Sequence, residues 1–184
     1  MDLLPQPSTF TVSAERPGDA SRRENLLDRA MGRRRKLKSS EKLRRGRLPS
    51  PGLALAARDD TGRLVGTVRL WDVSLGEGGA PALLLGPLAV EPSLKRAGIG
   101  SGPMRKAIAE ARRLGHKAIL LVGDAPYYAR FGFSAQKTGR FAMPGPYERE
   151  RFLALELEGG ALDNAAGVLK PAGRKAREGL RAAA

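Results

Sequence analysis

The chain has no cysteine and a single histidine, His116. The first absence removes disulfides, thiolate metal sites and any cysteine-borne covalent intermediate. The second argues against a His-rich metal site and a histidine-centred triad, so no metal is expected, and chemistry falls to other groups or to a cosubstrate. Aromatic residues make up only 5% of the chain. No stretch approaches the ~18 apolar residues a membrane span needs. The opening MDLLPQPSTF lacks the basic and apolar regions of a secretory signal. The expectation is a soluble, cytoplasmic protein without a membrane partner, its 184 residues being enough to bury one core.

Acidic residues are outnumbered, 19 Asp and Glu against 33 Lys and Arg, for a formal charge of +14. The excess is local. Residues 33–47, RRRKLKSSEKLRRGR, carry nine basic residues and one Glu, net +8; residues 170–184 carry five and one, net +4. The body between and around them is nearly neutral. Such runs attract phosphates, nucleic acid or an anionic substrate, or else form a solvated helix face and a loose tail. The tail has no aromatic residues on which bases could stack, so nucleic acid through 33–47 and the tail is a possible but not a favoured partner.

Hydrophobic spacing sketches an alternation of strands and helices. Phe10–Ser13 suits a short strand, and Asp19 or Ser21 precedes a helix carrying Leu26, Leu27, Ala30 and Met31. A basic helical piece follows around Ser39–Arg45. Leu53–Arg58 and Leu64–Val73 flank a turn at Asp59–Gly62 and read as an antiparallel hairpin. Ala82–Val90 is a third apolar run, and its internal Gly86-Pro87 signals a bulge or an edge. From Gly98 the period becomes helical, with Met104, Ala107, Ile108, Ala111 and Leu114 on one face. Lys117–Val122 is then almost wholly apolar, as a strand buried on both faces requires. Strand, helix and strand in that order make a parallel crossover. Ala125–Arg130 reads as a short helix, Phe131–Ser134 as a strand start and Arg151–Leu157 as a last strand; past Glu158 the periodicity fades.

Between the third apolar run and its helix lies Lys95-Arg96-Ala97-Gly98-Ile99-Gly100-Ser101. A glycine-rich, basic loop at a helix start presents main-chain N–H groups and a favourable dipole to an anion. A Cβ at Gly98 or Gly100 would hold the ligand's oxygens off those amides. A dinucleotide fingerprint would need glycine where Pro103 stands, and a phosphate-binding Walker loop would end in GK[ST]; neither occurs. After the second parallel strand comes Gly123-Asp124-Ala125-Pro126-Tyr127-Tyr128-Ala129-Arg130-Phe131-Gly132-Phe133, with two of the three tyrosines.

GPLAV, KRAGIGS, the helix, AILLVGD and YYARFGF resemble, in order and spacing, the GNAT superfamily of acetyl-CoA-dependent N-acetyltransferases. Across Pro51 to about Leu157 the likeness is to its small bacterial YhbS-type members. The resemblance implies an α+β fold: a central, mostly antiparallel twisted sheet with a splayed parallel strand pair and flanking helices. The acetyltransferase domain would span 1–160, with 161–184 a basic C-terminal tail.

The resemblance also implies a chemistry. Acetyl-CoA would be the cosubstrate, its pantetheine arm on the backbone of Leu88, Ala89 and Val90 and its pyrophosphate on the amides of Lys95, Arg96, Ala97, Gly98, Ile99, Gly100 and Ser101. Lys95 stands where relatives carry Gln or Arg. An uncharged primary amine attacks the thioester directly, which needs no enzyme nucleophile. Tyr128 matches the family tyrosine that protonates or hydrogen-bonds the leaving thiolate, and Tyr127 is the lesser choice. Leu88–Val90 would polarise the carbonyl. No general base is evident, Asp72, Asp124 and a water chain being the options, and His116 has a structural place beyond a helix end. The +8 run falls where the family's acceptor entrance is overhung, which implies a neutral or anionic amine. The rival expectation is a basic nucleic-acid or ribosome-associated module with this fold and no transferase activity. The acceptor and the oligomeric state are not legible.

Overall fold

Asp59 organises the turn of a hairpin within the sheet. Its Oδ1 accepts from the Thr61 amide at 3.1 Å, the Thr61 hydroxyl at 2.7 Å and the Arg63 amide at 2.9 Å, an Asx-type turn that reverses the chain at Gly62. The computed structural model describes residues 9–177. Its helices are α1 (Ala20–Met31), α2 (Glu41–Arg44), α3 (Ser101–Arg113) and α4 (Ala125–Ala129). The strands are β1 (Phe10–Ala14), β2 (Ala54–Asp59), β3 (Leu64–Ser74), β4 (Pro81–Val90), β5 (Ala118–Val122), β6 (Phe141–Ala142), β7 (Phe152–Glu156), β8 (Gly167–Val168) and β9 (Lys170–Pro171).

The main sheet runs β1-β2-β3-β4-β5-β7, with β9 beside the end of β3. All neighbours are antiparallel except β4 and β5. Helix α3 joins that parallel pair, as a crossover connection must. The expected α+β architecture is the one observed.

Alternation sends side chains to two apolar layers. Val68, Leu70, Leu83, Leu85, Ile119 and Leu121 meet Met104, Ala107, Ile108 and Ala111 of α3. On the other face, Trp71, Val73, Leu84, Leu120 and Phe152 pack with Leu43 of α2 and with Phe141, Leu162 and Leu169. Leu26 and Leu27 of α1 extend that face over Ala56, Leu64 and Ala89.

Two local expectations change. The segment 161–184 is not a loose tail over its described part. Leu162, Leu169 and Ala176 are buried, β9 pairs with Val73 and Ser74, and the amides of Leu48 and Ala176 donate to Arg174 and Gly46 across the gap. A few well-spaced apolar residues and a strand edge needing partners hold a segment whose own periodicity is weak. Residues 178–184 of the expected tail, like 1–8 at the other end, lie outside the described residues. Phe131–Ser134 is not a strand either: only Ser134 bridges to Ala154, because Phe133 turns into the α3 core.

Candidate active site

Strand β4 cannot stay beside β5. Their pairing comprises Leu83 with Ile119 and Leu84 with Leu120, and there it stops. The next residues, Gly86-Pro87, join through a cis peptide bond. On the β3 side Leu85 faces Leu70 and Leu88 faces Val68, so Gly86 and Pro87 together oppose Arg69. That is the bulge expected from the sequence. Trp71 fastens it, its Nε1–H donating to the Gly86 carbonyl at 2.6 Å.

Beyond the bulge β4 has a strand partner on one side only. The Glu91 amide donates to the Val65 carbonyl at 2.8 Å. In an antiparallel ladder this register makes Ala89 and Thr67 a bonded pair. Leu88 and Val90, offset by one, turn their main-chain N–H and C=O toward the opening beside β5. Of the three backbone positions singled out in β4, two face the gap and Ala89 faces β3.

At the far end of β4, a 3-10 turn (Pro92–Ala97) leads into Gly98, Ile99 and Gly100 and then α3. The Ser101 amide donates to Gly98 and the Met104 amide to Gly100; Pro103 has no N–H to give. The glycines prove necessary for reasons the loop's composition did not reveal. Gly98 sits at φ +72°, the left-handed region, with open space around a would-be Cβ. A Cβ on Gly100 would lie 2.7 Å from the Tyr127 hydroxyl and 3.4 Å from Val90 Cγ2. Tyr127 therefore packs against the loop itself, and its phenol is raised above its usual pKa by burial.

Helix α4 is capped by Asp124, whose carboxylate accepts from the Tyr127 amide at 3.2 Å. Tyr128 emerges on its inner side. Its ring meets Tyr127 edge-on at 4.9 Å and Phe133 at 6.0 Å and rests over Gly123. Burial, with the charge of Asp124 nearby, pushes its phenol up to about 12. Among the described residues its hydroxyl has no hydrogen-bond partner.

On the opposite face of the bulge opens a cleft of about 510 Å³ floored by Trp71, Pro87 and Leu27. Seven of its lining residues come from the basic run, five of them cationic (Arg35, Lys36, Arg44, Arg45 and Arg47), and Arg23 and Arg69 join them. The run is thus partly an inner wall rather than a free basic stripe. Arg23 pairs with Glu15, and Arg69 makes two bonds to it at 2.7 and 2.8 Å. Sequence reasoning missed two carboxylates here, Glu24 and Glu41. They stand on α1 and α2, far from the family-like motifs, and only their neighbourhood to basic residues in the chain hinted at them. Burial opposes the charge of Glu24, but the hydrogen bond from Arg35 and the surrounding cations hold it below the usual carboxylate range. Neither Asp72 nor Asp124 lines the cleft. His116 lies past the end of α3, its amide donating to Ala111.

A glycine-bearing turn at a helix start, a strand pair that parts and a half-buried phenol make up the candidate site. The sequence model of the acetyltransferase (GNAT) family matches residues 22–133, and the chain belongs to that family. The uncharacterized N-acetyltransferase YjhQ of Escherichia coli K12 is 31% identical over 140 residues, covering 75% of this chain and 76% of YjhQ. The crystal structure of the Escherichia coli N-acetyltransferase YhbS in complex with CoA superposes with a TM-score of 0.76 at 25% identity, spanning 94% of each chain. A GNAT family acetyltransferase from Brucella melitensis, in complex with acetyl-CoA, gives 0.59 at 25% identity over 82% of this chain and 89% of its own.

Proposed function

We propose that the chain is an N-acetyltransferase moving the acetyl group of acetyl-CoA directly to a primary amine of a neutral or anionic acceptor. The observation that carries this reading is the open edge of β4: pairing with β5 ends at Leu84, and Leu88 and Val90 turn main-chain groups into the gap. An extended amide-bearing arm is the natural occupant of such an edge, by the logic of strand addition. Leu88 and Val90 would bind it, with Ala89 holding the strand in register from the β3 side. The turn from Lys95 through Arg96, Ala97, Gly98, Ile99 and Gly100 to Ser101 would hold the pyrophosphate at the start of α3. Acetyl-CoA supplies an acetyl group already activated as a thioester.

Tyr128 supplies a hydrogen bond to a departing sulfur. Its phenol at about 12 stays protonated at neutral pH, and an ordinary thiol has a pKa of about 8.5. Full proton transfer to such a thiolate would be uphill by roughly 5 kcal/mol, so the role is that of donor rather than acid. As the C–N bond forms and the C–S bond breaks, the amine nitrogen gives its proton to solvent water and CoA leaves as the thiolate, so no lining residue is needed as a strong base. The cationic wall disfavours an ammonium group and raises the fraction of free amine.

Calorimetry with acetyl-CoA tests the reading. Saturable binding at micromolar to millimolar ligand, competed by CoA, is the expected result. No heat and no competition at millimolar ligand would refute it.

A further inference from the structure

Resting on the acetyltransferase reading above, we infer that the cleft over Trp71 and Pro87 selects a small primary amine that carries its own oxyanion, carboxylate or phosphate, seated between Arg35 and Arg44. Charge alone points that way. Seven cationic side chains line the cleft against two carboxylates. Glu15 and Asp28 pair with the same arginines from behind, and the cations still exceed the carboxylates by three. A polyamine or a lysine-rich peptide would enter against that field.

The arginines are not equal. Arg23 and Arg69 are engaged by Glu15. Arg35 is 7% exposed, and both of its carboxylate partners, Glu24 at 2.6 Å and Asp28 at 3.0 Å, take the same nitrogen, Nη2. Its Nε–H is buried without an acceptor. A buried guanidinium N–H left unpaired is costly, and a small turn of the side chain toward the cleft would let an oxyanion accept from it and remove that cost.

Arg44 is the second arm. It is 9% exposed, its Nη2 held by Glu41 at 2.9 Å. Its Nη1 lies 3.5 Å from the point where a Cβ on Gly86 would stand. That places one cation beside the β4 bulge and the other under α1, within one small-molecule-sized volume. An acceptor anchored there by its oxyanion presents its amine at the strand opening, and the same cations keep that amine unprotonated.

Trp71 is the chain's single tryptophan, and it floors the cleft, so its emission reports occupancy without any turnover. The test titrates the full chain, at constant ionic strength, with inorganic phosphate and with two matched pairs: phosphoethanolamine and ethanolamine, β-alanine and β-alaninamide. The expected result is a saturable change for the anionic member of at least one pair, with a midpoint at least tenfold below its neutral counterpart. The tighter pair tells phosphate from carboxylate. Arg35→Lys keeps the charge and loses the Nε–H, and is expected to weaken the midpoint at least fivefold; Arg35→Gln weakens it further. No saturable response to any anionic probe, equal midpoints within both pairs, or unchanged midpoints in Arg35 variants that keep the wild-type melting temperature would overturn the inference. The two proposals fail separately. An anion response without acetyl-CoA binding sinks the transferase reading alone, and acetyl-CoA binding without an anion response sinks the oxyanion site alone.

Discussion

Replacing Gly123 with alanine tests whether Tyr128 is held in place by its surroundings. The ideal Cβ at Gly123 would lie 2.9 Å from Tyr128 Cδ2 and closer still to Cε2, with Leu121 Cδ1 at 3.2 Å. Comfortable carbon contacts are about 3.5–4.0 Å, so the ring must move by roughly 1 Å. The backbone cannot yield easily: the Gly123 amide donates to Arg151, and its carbonyl accepts from the Arg151 side chain. The ring is hemmed by Tyr127 and Phe133. Overpacking of this kind costs about 1–3 kcal/mol, and a displacement near 1 Å at a reacting centre costs on the order of 100-fold in rate. Gly123→Ala is expected to lower stability in urea by that amount and to cut kcat by 10- to 100-fold. Acetyl-CoA affinity is expected to change less than threefold, because Gly123 belongs neither to β4 nor to the turn from Lys95 to Ser101. In a Tyr128→Ala background the same alanine should cost less than half as much, since the clash with the ring has gone and only the Leu121 contact at 3.2 Å remains. Wild-type stability and turnover in the single variant would refute the placement of Tyr128 over Gly123.

Tyr128→Phe removes a hydroxyl with no partner among the described residues; it is expected to leave stability within about 0.5 kcal/mol and to reduce kcat by roughly 100-fold, and full turnover would remove the donor role. Because the folded phenol lies near 12 and the free one at 10.0, its contribution to stability is intact below pH 10 and lost as pH rises to about 12; urea titrations across that window should show a steeper loss in wild type than in Tyr128→Phe. Gly100→Val drives a side chain into the Tyr127 hydroxyl and Val90, and calorimetry should show acetyl-CoA affinity reduced at least tenfold. Asp19 and Arg58, both buried, pair at 2.5 Å. Burial opposes the Asp19 charge, but Arg58 and the Arg16 amide hold its carboxyl below the ordinary value of 3.8. Its stabilisation is therefore present above about pH 4 and lost as pH falls below it. Asp19→Asn should cost about 3–5 kcal/mol at neutral pH and flatten the acid limb of the stability profile, which thermal melts would record.

Much of the fold was legible because it is written in local periodicity. The helical spacing of Met104 through Ala111 and the unbroken apolar run of β5 fix a crossover, and Gly86-Pro87 cannot continue a regular ladder. The motif from Lys95 to Ser101 and the pair Tyr127-Tyr128 were equally visible, since their chemistry sits in consecutive residues. The fold of 161–177 was not, because its few anchors, Leu162, Leu169 and Ala176, acquire meaning only against surfaces supplied by β3 and the turn at Gly46.

By itself the sequence determined the order of elements, the glycine loop and the excess of positive charge, all properties of neighbours in the chain. The tertiary structure alone decided which carboxylates meet which arginines, that Tyr127 leans on Gly100, that Tyr128 lies over Gly123, and that Leu88 and Val90 face the gap while Ala89 does not. Those facts depend on register and on packing between residues far apart along the chain, and no local pattern encodes the distance between Arg35 on one connection and Glu24 on the helix beneath it.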